Sequence, residues 1–167
     1  CGTNDGISSA MFYIISYSVM TVAAFGLLTL ISCRGFEVES VNDLAGLNQR
    51  NPWLAFIMLL VMFSMAGIPP LVGFIAKLGI LEALIEVHHV WLAVLALLFA
   101  IVGSYYYLKV VKVMYFEEPV NPEPLYARPE AVAAISINGL ALVVMGVFPG
   151  MLFQICHAVS PMVRTLS

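Results

Sequence analysis

The sequence contains few charged residues and few cysteines, and both shortages narrow the class of protein. Charged side chains make up only 10% of the 167 residues, whereas about 25% is usual in soluble domains. The cysteines Cys1, Cys33 and Cys156 show neither a CxxC pair nor metal-ligand spacing, so we expect no structural disulfide and no metal site. The formal net charge is −3 and basic residues do not cluster, which argues against a nucleic-acid partner.

Motifs for cofactor chemistry are also missing. The sequence has no glycine-rich phosphate loop, no cysteine cluster and no nucleophile–base pair, so we expect no nucleotide, flavin or iron–sulfur cluster and no catalytic residue in this chain. His88 and His89 are adjacent, but no carboxylate or cysteine stands at ligand spacing from them. The chemistry that the chain supports must therefore be of another kind.

Apolar residues are abundant, at 62% of the chain with a mean hydropathy of +0.99. Such a composition predicts an all-α integral membrane protein, because a spanning helix needs about 20 apolar residues. We predict one transmembrane domain over residues 1–167, with four spans. The chain starts at Cys1 without methionine or a signal peptide, so we expect it to be a fragment of a longer protein. The four spans are predicted at 7–32, 53–87, 90–116 and 131–159.

The second span contains a helix break and a lysine. Gly67, Pro69, Pro70 and Gly73 interrupt the apolar run, and Lys77 follows seven residues after Pro70. A proline inside a helix costs about 3 kcal/mol or more, and a lysine at the centre of a span costs about 2.5–3.5 kcal/mol. Broken helices persist in membranes where they are buried in protein or line a wet cavity. We interpret the pair as part of an ion pathway; the alternative is a kinked helix whose lysine reaches the headgroups.

The distribution of basic residues predicts how many times the segment 53–87 crosses the membrane. A single broken crossing, with non-helical backbone from Gly67 to Gly73, places the connections 33–52 and 117–130 on one side, which the positive-inside rule makes cytoplasmic. Two crossings would instead divide the basic residues three against three. We therefore predict one crossing and put both termini on the periplasmic or equivalent face. The residues that share the cytoplasmic face are Arg34, Arg50, Lys109, Lys112 and Arg128.

Lys77 is the candidate proton carrier. Burial disfavours the ammonium, and a second half-helix that starts near Val72 would bring its positive dipole end close to the lysine, so both effects favour the neutral amine. Hydration that keeps Lys77 charged is the alternative. Glu82 lies about 140° around the helix from Lys77, on another face. Glu82, His88 and Tyr17 are candidate pathway residues. The simpler interpretation is that Glu82 and His88 lie at the membrane interface and that Tyr17 is a packed aromatic.

Local signals predict three further boundaries. Ser40 and Asp43 indicate a short capped turn, and Pro52 stands where prolines favour the start of a helix. Phe148-Pro149-Gly150 predicts a kink or early end in the last span.

Four segments together resemble a known family. MAGIPPLVGFIAKL and SYYYLKVVKVMYF, with AAFGLLTLIS and DLAGLNQRNPWLAF, are similar to the subunit N family of proton-pumping NADH–quinone oxidoreductase, respiratory complex I. The resemblance covers essentially the whole chain but only the C-terminal third of such an antiporter-like subunit. It implies spans eleven to fourteen of a fourteen-helix protein built from two inverted repeats, with the twelfth span discontinuous. It also implies that the proton-channel lysine is Lys77.

The resemblance carries further expectations. It implies a multi-pass membrane subunit that contributes part of a proton path coupled to quinone reduction. The bacterial inner (plasma) membrane is favoured over an organellar inner or thylakoid membrane. Its partners would be neighbouring antiporter-like and other membrane subunits and the lipid bilayer. NADH, flavin, iron–sulfur clusters and quinone would be bound by other subunits. Two alternatives remain open, a subunit of a multisubunit cation/proton antiporter and a non-conducting scaffold.

Overall fold

The computed structural model describes residues 4–32, 38–119 and 127–166, and all regular structure in these ranges is helical. Three helices, α1 from Asp5, α5 and α6, are long and apolar enough to cross a membrane, and α3 is a shorter apolar helix. The predicted all-α membrane class is therefore confirmed. The helices are α1 (Asn4–Ile31), α2 (Leu47–Arg50), α3 (Pro52–Ala66), α4 (Val72–Glu86), α5 (Val90–Phe116), α6 (Pro129–Val147) and α7 (Pro149–Leu166), with a 3₁₀ turn at Val41–Leu44.

The connection that precedes α3 follows the local sequence signals. The Asp43 carboxylate accepts hydrogen bonds from the backbone N–H of Ser40 at 2.7 Å and of Glu39 at 3.0 Å, which caps the 3₁₀ turn. Pro52 is the first residue of α3, and the side chain of Asn51 accepts from the N–H of Leu54 at 3.1 Å. The predicted turn and the predicted helix start are both confirmed.

The helix break has the predicted place but is shorter than predicted. α3 ends at Ala66, Gly67 adopts φ +86°, and α4 begins at Val72. The prediction that Gly73 is also non-helical is wrong, because Gly73 is the second residue of α4. The first N–H groups of a helix need no partner within that helix. The N–H of Gly73 donates instead to the Ser64 hydroxyl of α3 at 3.2 Å, so α4 can begin directly after the link.

The fourth span, predicted over 131–159 with a kink or early end at Phe148-Pro149-Gly150, is interrupted at that position and is shorter than its predicted range. α6 ends at Val147 and α7 begins at Pro149. Proline has no backbone donor and disfavours helical geometry in the residue before it, which explains the break at Phe148. α7 packs against α1, and His157 Nε2 lies 2.8 Å from Asp5 Oδ1. The other predicted span boundaries agree with α1 and α5 within a few residues.

The helices enclose a core in which α1 contacts α3, α4, α6 and α7. Phe12, Leu27, Ile57 and Leu142 are fully buried there. Gly146 lets α6 approach the link between α3 and α4, since a Cβ at this position would overlap the backbone of Pro70 to Val72. The break is therefore packed against protein.

Two connections meet at one end of the molecule. The N–H of Gly46, between the 3₁₀ turn and α2, donates to the carbonyl of Val113 near the end of α5 at 3.3 Å. Gly46 also has φ +63° and lies so close to Pro119 that a Cβ would overlap it. The start of α3 and the end of α5 therefore lie side by side.

Candidate functional site: a lysine at a helix break

The amine of Lys77 caps the end of the preceding helix. Lys77 lies in the second turn of α4, and its Nζ donates to the carbonyls of Met65 and Ala66, each at 2.9 Å. These are the last two residues of α3. The final carbonyls of a helix lack partners within the helix and carry the negative end of its dipole. Lys77 therefore provides a donor for two carbonyls at the end of α3 and joins the two sides of the break.

Two helix ends act on Lys77 in opposite directions. The backbone of Lys77 is close to the start of α4, whose positive end disfavours a cation, as the sequence predicts. Its side-chain nitrogen, however, is 2.9 Å from the carbonyls of Met65 and Ala66 at the negative end of α3. The nearer dipole end has the larger effect, because the interaction falls off within one turn. This geometry stabilises a docked ammonium, an effect that the sequence-based expectation lacked.

Glycines make room for this arrangement. A Cβ on Gly67 would lie 3.0 Å from both Cδ and Nζ of Lys77, so a larger residue there would press on the docked amine. A Cβ on Gly73 would overlap the carbonyl of Ser64, so α3 and α4 cross in direct backbone contact. Pro69 and Pro70 form the link between the helices and take no part in binding the amine. The predicted break residues thus shape the site, and Lys77 supplies its functional group.

Lys77 lies in the wall of a cavity of about 400 Å³ between α1, α4 and α5. Tyr17 of α1, a candidate from the sequence, lines the same cavity, and its ring stacks on that of Tyr13 at a centroid distance of 6.1 Å. Tyr107 of α5 lines it as well. Sequence reasoning missed Tyr13 and Tyr107; the four-residue spacing of Tyr13 and Tyr17 on one helix face was the signal for the first.

The remaining candidates lie elsewhere. Glu82 and His88 are both exposed and do not line the cavity, so the structure does not bring them together with Lys77. Lys112 Nζ is 3.9 Å from Glu117 Oε1 in an exposed pair near the end of α5. In the described ranges, no group of three or more His, Cys, Asp or Glu side chains could hold a metal ion.

A set of apolar helices with an amine docked at a helix break defines a helical membrane protein with an internal ionisable group. The chain belongs to the NADH:quinone oxidoreductase/Mrp antiporter transmembrane family, whose family model matches residues 1–103.

Individual relatives agree with this membership. The chain is 61% identical over 158 residues to NADH-quinone oxidoreductase subunit N of Coxiella burnetii, covering 94% of this chain and 33% of the relative. It is 53% identical over 148 residues to the protein of the same name from Nitrosomonas europaea, covering 89% of this chain and 31% of that protein. The chain thus spans about a third of the length of these relatives, and the predicted resemblance to subunit N is confirmed.

Solved structures show the same fold. A chain of respiratory complex I from Thermus thermophilus with bound NADH superposes with a TM-score of 0.77 at 28% identity, covering 99% of this chain and 35% of that one. A chain of the Mrp complex from Dietzia sp. superposes with a TM-score of 0.82, covering 95% of this chain and 38% of that one. Its identity is 19%, so this second likeness concerns the fold alone.

Proposed function

We propose that the chain is part of a membrane subunit of a proton-translocating NADH–quinone oxidoreductase, and that Lys77 carries the proton. The observation that carries the proposal is the docking of Lys77 Nζ on the carbonyls of Met65 and Ala66, in the wall of a cavity. The names of the relatives support the enzyme class. NADH, flavin, iron–sulfur clusters and quinone would be held by other subunits, and no redox step would occur in this chain.

In this proposal α3 and α4 together make one discontinuous crossing. The contact of Gly46 with Val113 supports it, because the start of α3 and the end of α5 lie at the same end of the molecule. α5 is long enough to cross once, and it would bring the chain back to that end if the stretch from Pro52 to Glu86 crosses once as well. Four crossings follow, α1, α3 with α4, α5 and α6. The membrane would be the bacterial inner membrane. The positive-inside rule then puts the 33–52 and 117–130 connections on its cytoplasmic side.

Proton transfer would use the two states of the Lys77 amine. The ammonium has three donors, of which two bind Met65 and Ala66 and the third is free to reach the cavity. Loss of a proton through the cavity leaves a neutral amine, which is held far less strongly by the end of α3. The hydroxyls of Tyr13, Tyr17 and Tyr107 can donate to and accept from water in the cavity. Neighbouring membrane subunits and lipid would cover the outer faces.

The test replaces Lys77 by methionine in the assembled enzyme. NADH oxidation and acidification are followed together in inverted membrane vesicles. Lys77→Met should lower proton pumping, and coupled quinone reduction with it, while assembly stays intact. If the variant pumps at the wild-type proton-to-electron ratio, Lys77 only holds two helices together, and the non-conducting scaffold becomes the favoured function.

A cation/proton antiporter subunit is the second candidate. Its support is the family description, which joins NADH:quinone oxidoreductase with the Mrp antiporter. The same vesicles distinguish the two functions. Acidification that starts with NADH and stops with a quinone-site inhibitor supports the oxidoreductase, whereas proton release driven by a sodium gradient without NADH supports the antiporter.

A further inference from the structure

Lys77 shares one of its acceptors with a serine from another helix. Ser104 of α5 donates through Oγ to the carbonyl of Ala66 at 2.9 Å, the same distance as Lys77 Nζ. In the part of the chain that the structure describes, these are the two side chains that donate to this carbonyl. A carbonyl oxygen has two lone pairs, so it can accept both.

Ser104 also has a second acceptor. Its Oγ lies 2.8 Å from the carbonyl of Ala100, one turn earlier in α5. A hydroxyl has a single hydrogen and rotates to suit its surroundings. Ser104 can therefore donate to Ala66 or return to its own helix, without any movement of the backbone.

We propose that Ser104 is a positioning residue that determines how readily Lys77 leaves the end of α3. The inference rests on the proposed proton-carrier role of Lys77. When the neutral amine turns into the cavity, Ser104 keeps the Ala66 carbonyl hydrogen-bonded, so undocking leaves only the Met65 carbonyl without its side-chain donor. When the ammonium docks, the hydroxyl can turn to Ala100 and leave Ala66 to the charge. An unpaired buried carbonyl is costly, and Ser104 removes one such cost from each proton-transfer cycle.

Among the residues that the structure describes, Lys77 is the sole Lys, Arg, Asp or Glu in the cavity wall, so no second such charge there would produce the same effect. The described cavity wall carries three further titratable side chains, Tyr13 and Tyr17 from α1 and Tyr107 from α5. α3 contributes Met65, α4 contributes Lys77 itself with apolar residues, and α6 contributes nothing to the described wall. A change in the pH dependence after substitution of Ser104 would therefore report on Lys77 or on one of these phenols.

The principal variant is Ser104→Ala in the assembled enzyme, measured in inverted vesicles between about pH 6 and pH 9. Without the hydroxyl, Lys77 becomes the sole side-chain donor to Ala66 and the docked ammonium is favoured. Proton release should then require a higher pH. We expect pumping at neutral pH to fall about two- to tenfold, with the pH profile displaced upward by up to about one unit, as one lost hydrogen bond predicts.

Three further variants make the result specific. Ser104→Thr keeps a hydroxyl and should restore the wild-type profile, while Ser104→Cys, with a weak donor, should shift it in the direction of alanine. Ser18→Ala is the matched control, because Ser18 Oγ donates to the carbonyl of Ile14 four residues earlier at 2.8 Å and lies outside the cavity wall. It should behave as wild type. If Ser104→Ala does not assemble, the cysteine variant decides.

The outcomes separate this inference from the function on which it rests. An unchanged pH profile in the alanine or cysteine variant overturns the role of Ser104, as does an equal loss in the alanine and threonine variants without displacement. Lys77→Met is measured in the same series. If it abolishes pumping while Ser104→Ala keeps the wild-type profile, only the Ser104 inference fails; if it pumps at the wild-type ratio, the proposed function fails first.

Discussion

The hydroxyl of Ser64 accepts a hydrogen bond from the backbone N–H of Gly73 at 3.2 Å and lies 3.1 Å from the sulfur of Met20. Ser64 is fully buried, and this one side chain joins the end of α3 to the start of α4 and to α1. Its position fixes the crossing of the two short helices. Because that crossing brings the Lys77 amine to the end of α3, the geometry of the candidate site depends on small residues that bear no charge.

We predict that Gly73→Ala destabilises this crossing. The added Cβ would overlap the carbonyl of Ser64, which is backbone and cannot turn away. Overpacking of this kind typically costs about 1–3 kcal/mol. The yield and thermal stability of the assembled protein should both fall, and pumping should fall in proportion to the enzyme that assembles.

Gly150→Ala is the matched control for this substitution. Gly150 is the second residue of α7, as Gly73 is of α4, and a Cβ there meets nothing within 4 Å. Stability close to wild type is expected for this variant. Equal stability of the two alanine variants would mean that α3 and α4 do not cross in direct contact.

The proposed single crossing predicts a labelling pattern. Single cysteines at Val41, Glu117 and His88, in a chain without its native cysteines, would be treated with a membrane-impermeant maleimide. Val41→Cys and Glu117→Cys should react from the cytoplasmic face in inverted vesicles, and His88→Cys only from the opposite face. Reaction of all three from one face would contradict the single broken crossing.

The turn that precedes α3 should weaken at acid pH. Hydrogen bonds from the backbone of Ser40, and then of Glu39, hold the pKa of the exposed Asp43 carboxyl below its ordinary value of 3.8. Because the folded pKa is the lower one, the stabilisation is present above pH 3.8 and is lost as the pH falls through the folded pKa. In hydrogen-exchange measurements, the protection factor of the Ser40 amide should decrease in that pH range.

Asp43→Asn should remove this pH dependence and lower the protection of the Ser40 amide slightly at neutral pH, since exposed charges contribute little. Glu39→Gln is the control, because it leaves both hydrogen bonds to the Asp43 carboxylate in place. A protection that depends on pH equally in the wild type and in Asp43→Asn would assign the effect to another group.

Local chemistry made part of this fold predictable from the sequence. Pro52 at a helix start and the pair Pro69 and Pro70 after Gly67 restrict the backbone whatever surrounds them, and the boundaries of α3 follow from them. Pro149 likewise predicted a kink or an end of the helix at this position. Apolar composition continues across it, however, so hydropathy alone extended the last span to 159, whereas α6 ends at Val147.

The partners of Lys77 could not be predicted in the same way. The sequence indicates that a lysine follows a break, and a dipole argument from its own helix is then available. The direction of its side chain depends on how α4 crosses α3, which is set by contacts such as those of Gly73 and Ser64. Ser104 lies 27 residues after Lys77 in the sequence, so its role depends in addition on how α5 packs against α3 and α4.

Substitution of Lys77 by arginine separates the charge of this residue from its capacity to exchange a proton. Lys77→Arg keeps a cation with several donors, so it can still bind the carbonyls of Met65 and Ala66 and support assembly. A guanidinium scarcely loses its proton at any working pH. Pumping should therefore fall at least about tenfold, because a positioned proton-transferring group typically contributes about 10²–10⁴-fold, while the amount of assembled enzyme stays near wild type.

Lys109→Ala and Lys112→Ala are the controls for loss of a lysine from the same chain. Both side chains are exposed near the end of α5, and the pair of Lys112 with Glu117 contributes at most about 1 kcal/mol. Their pumping should stay within about twofold of wild type, measured as acidification per NADH oxidised. If Lys77→Arg instead pumps at the wild-type ratio, the positive charge at the end of α3 is sufficient, and the proton must travel by another group in the assembled protein.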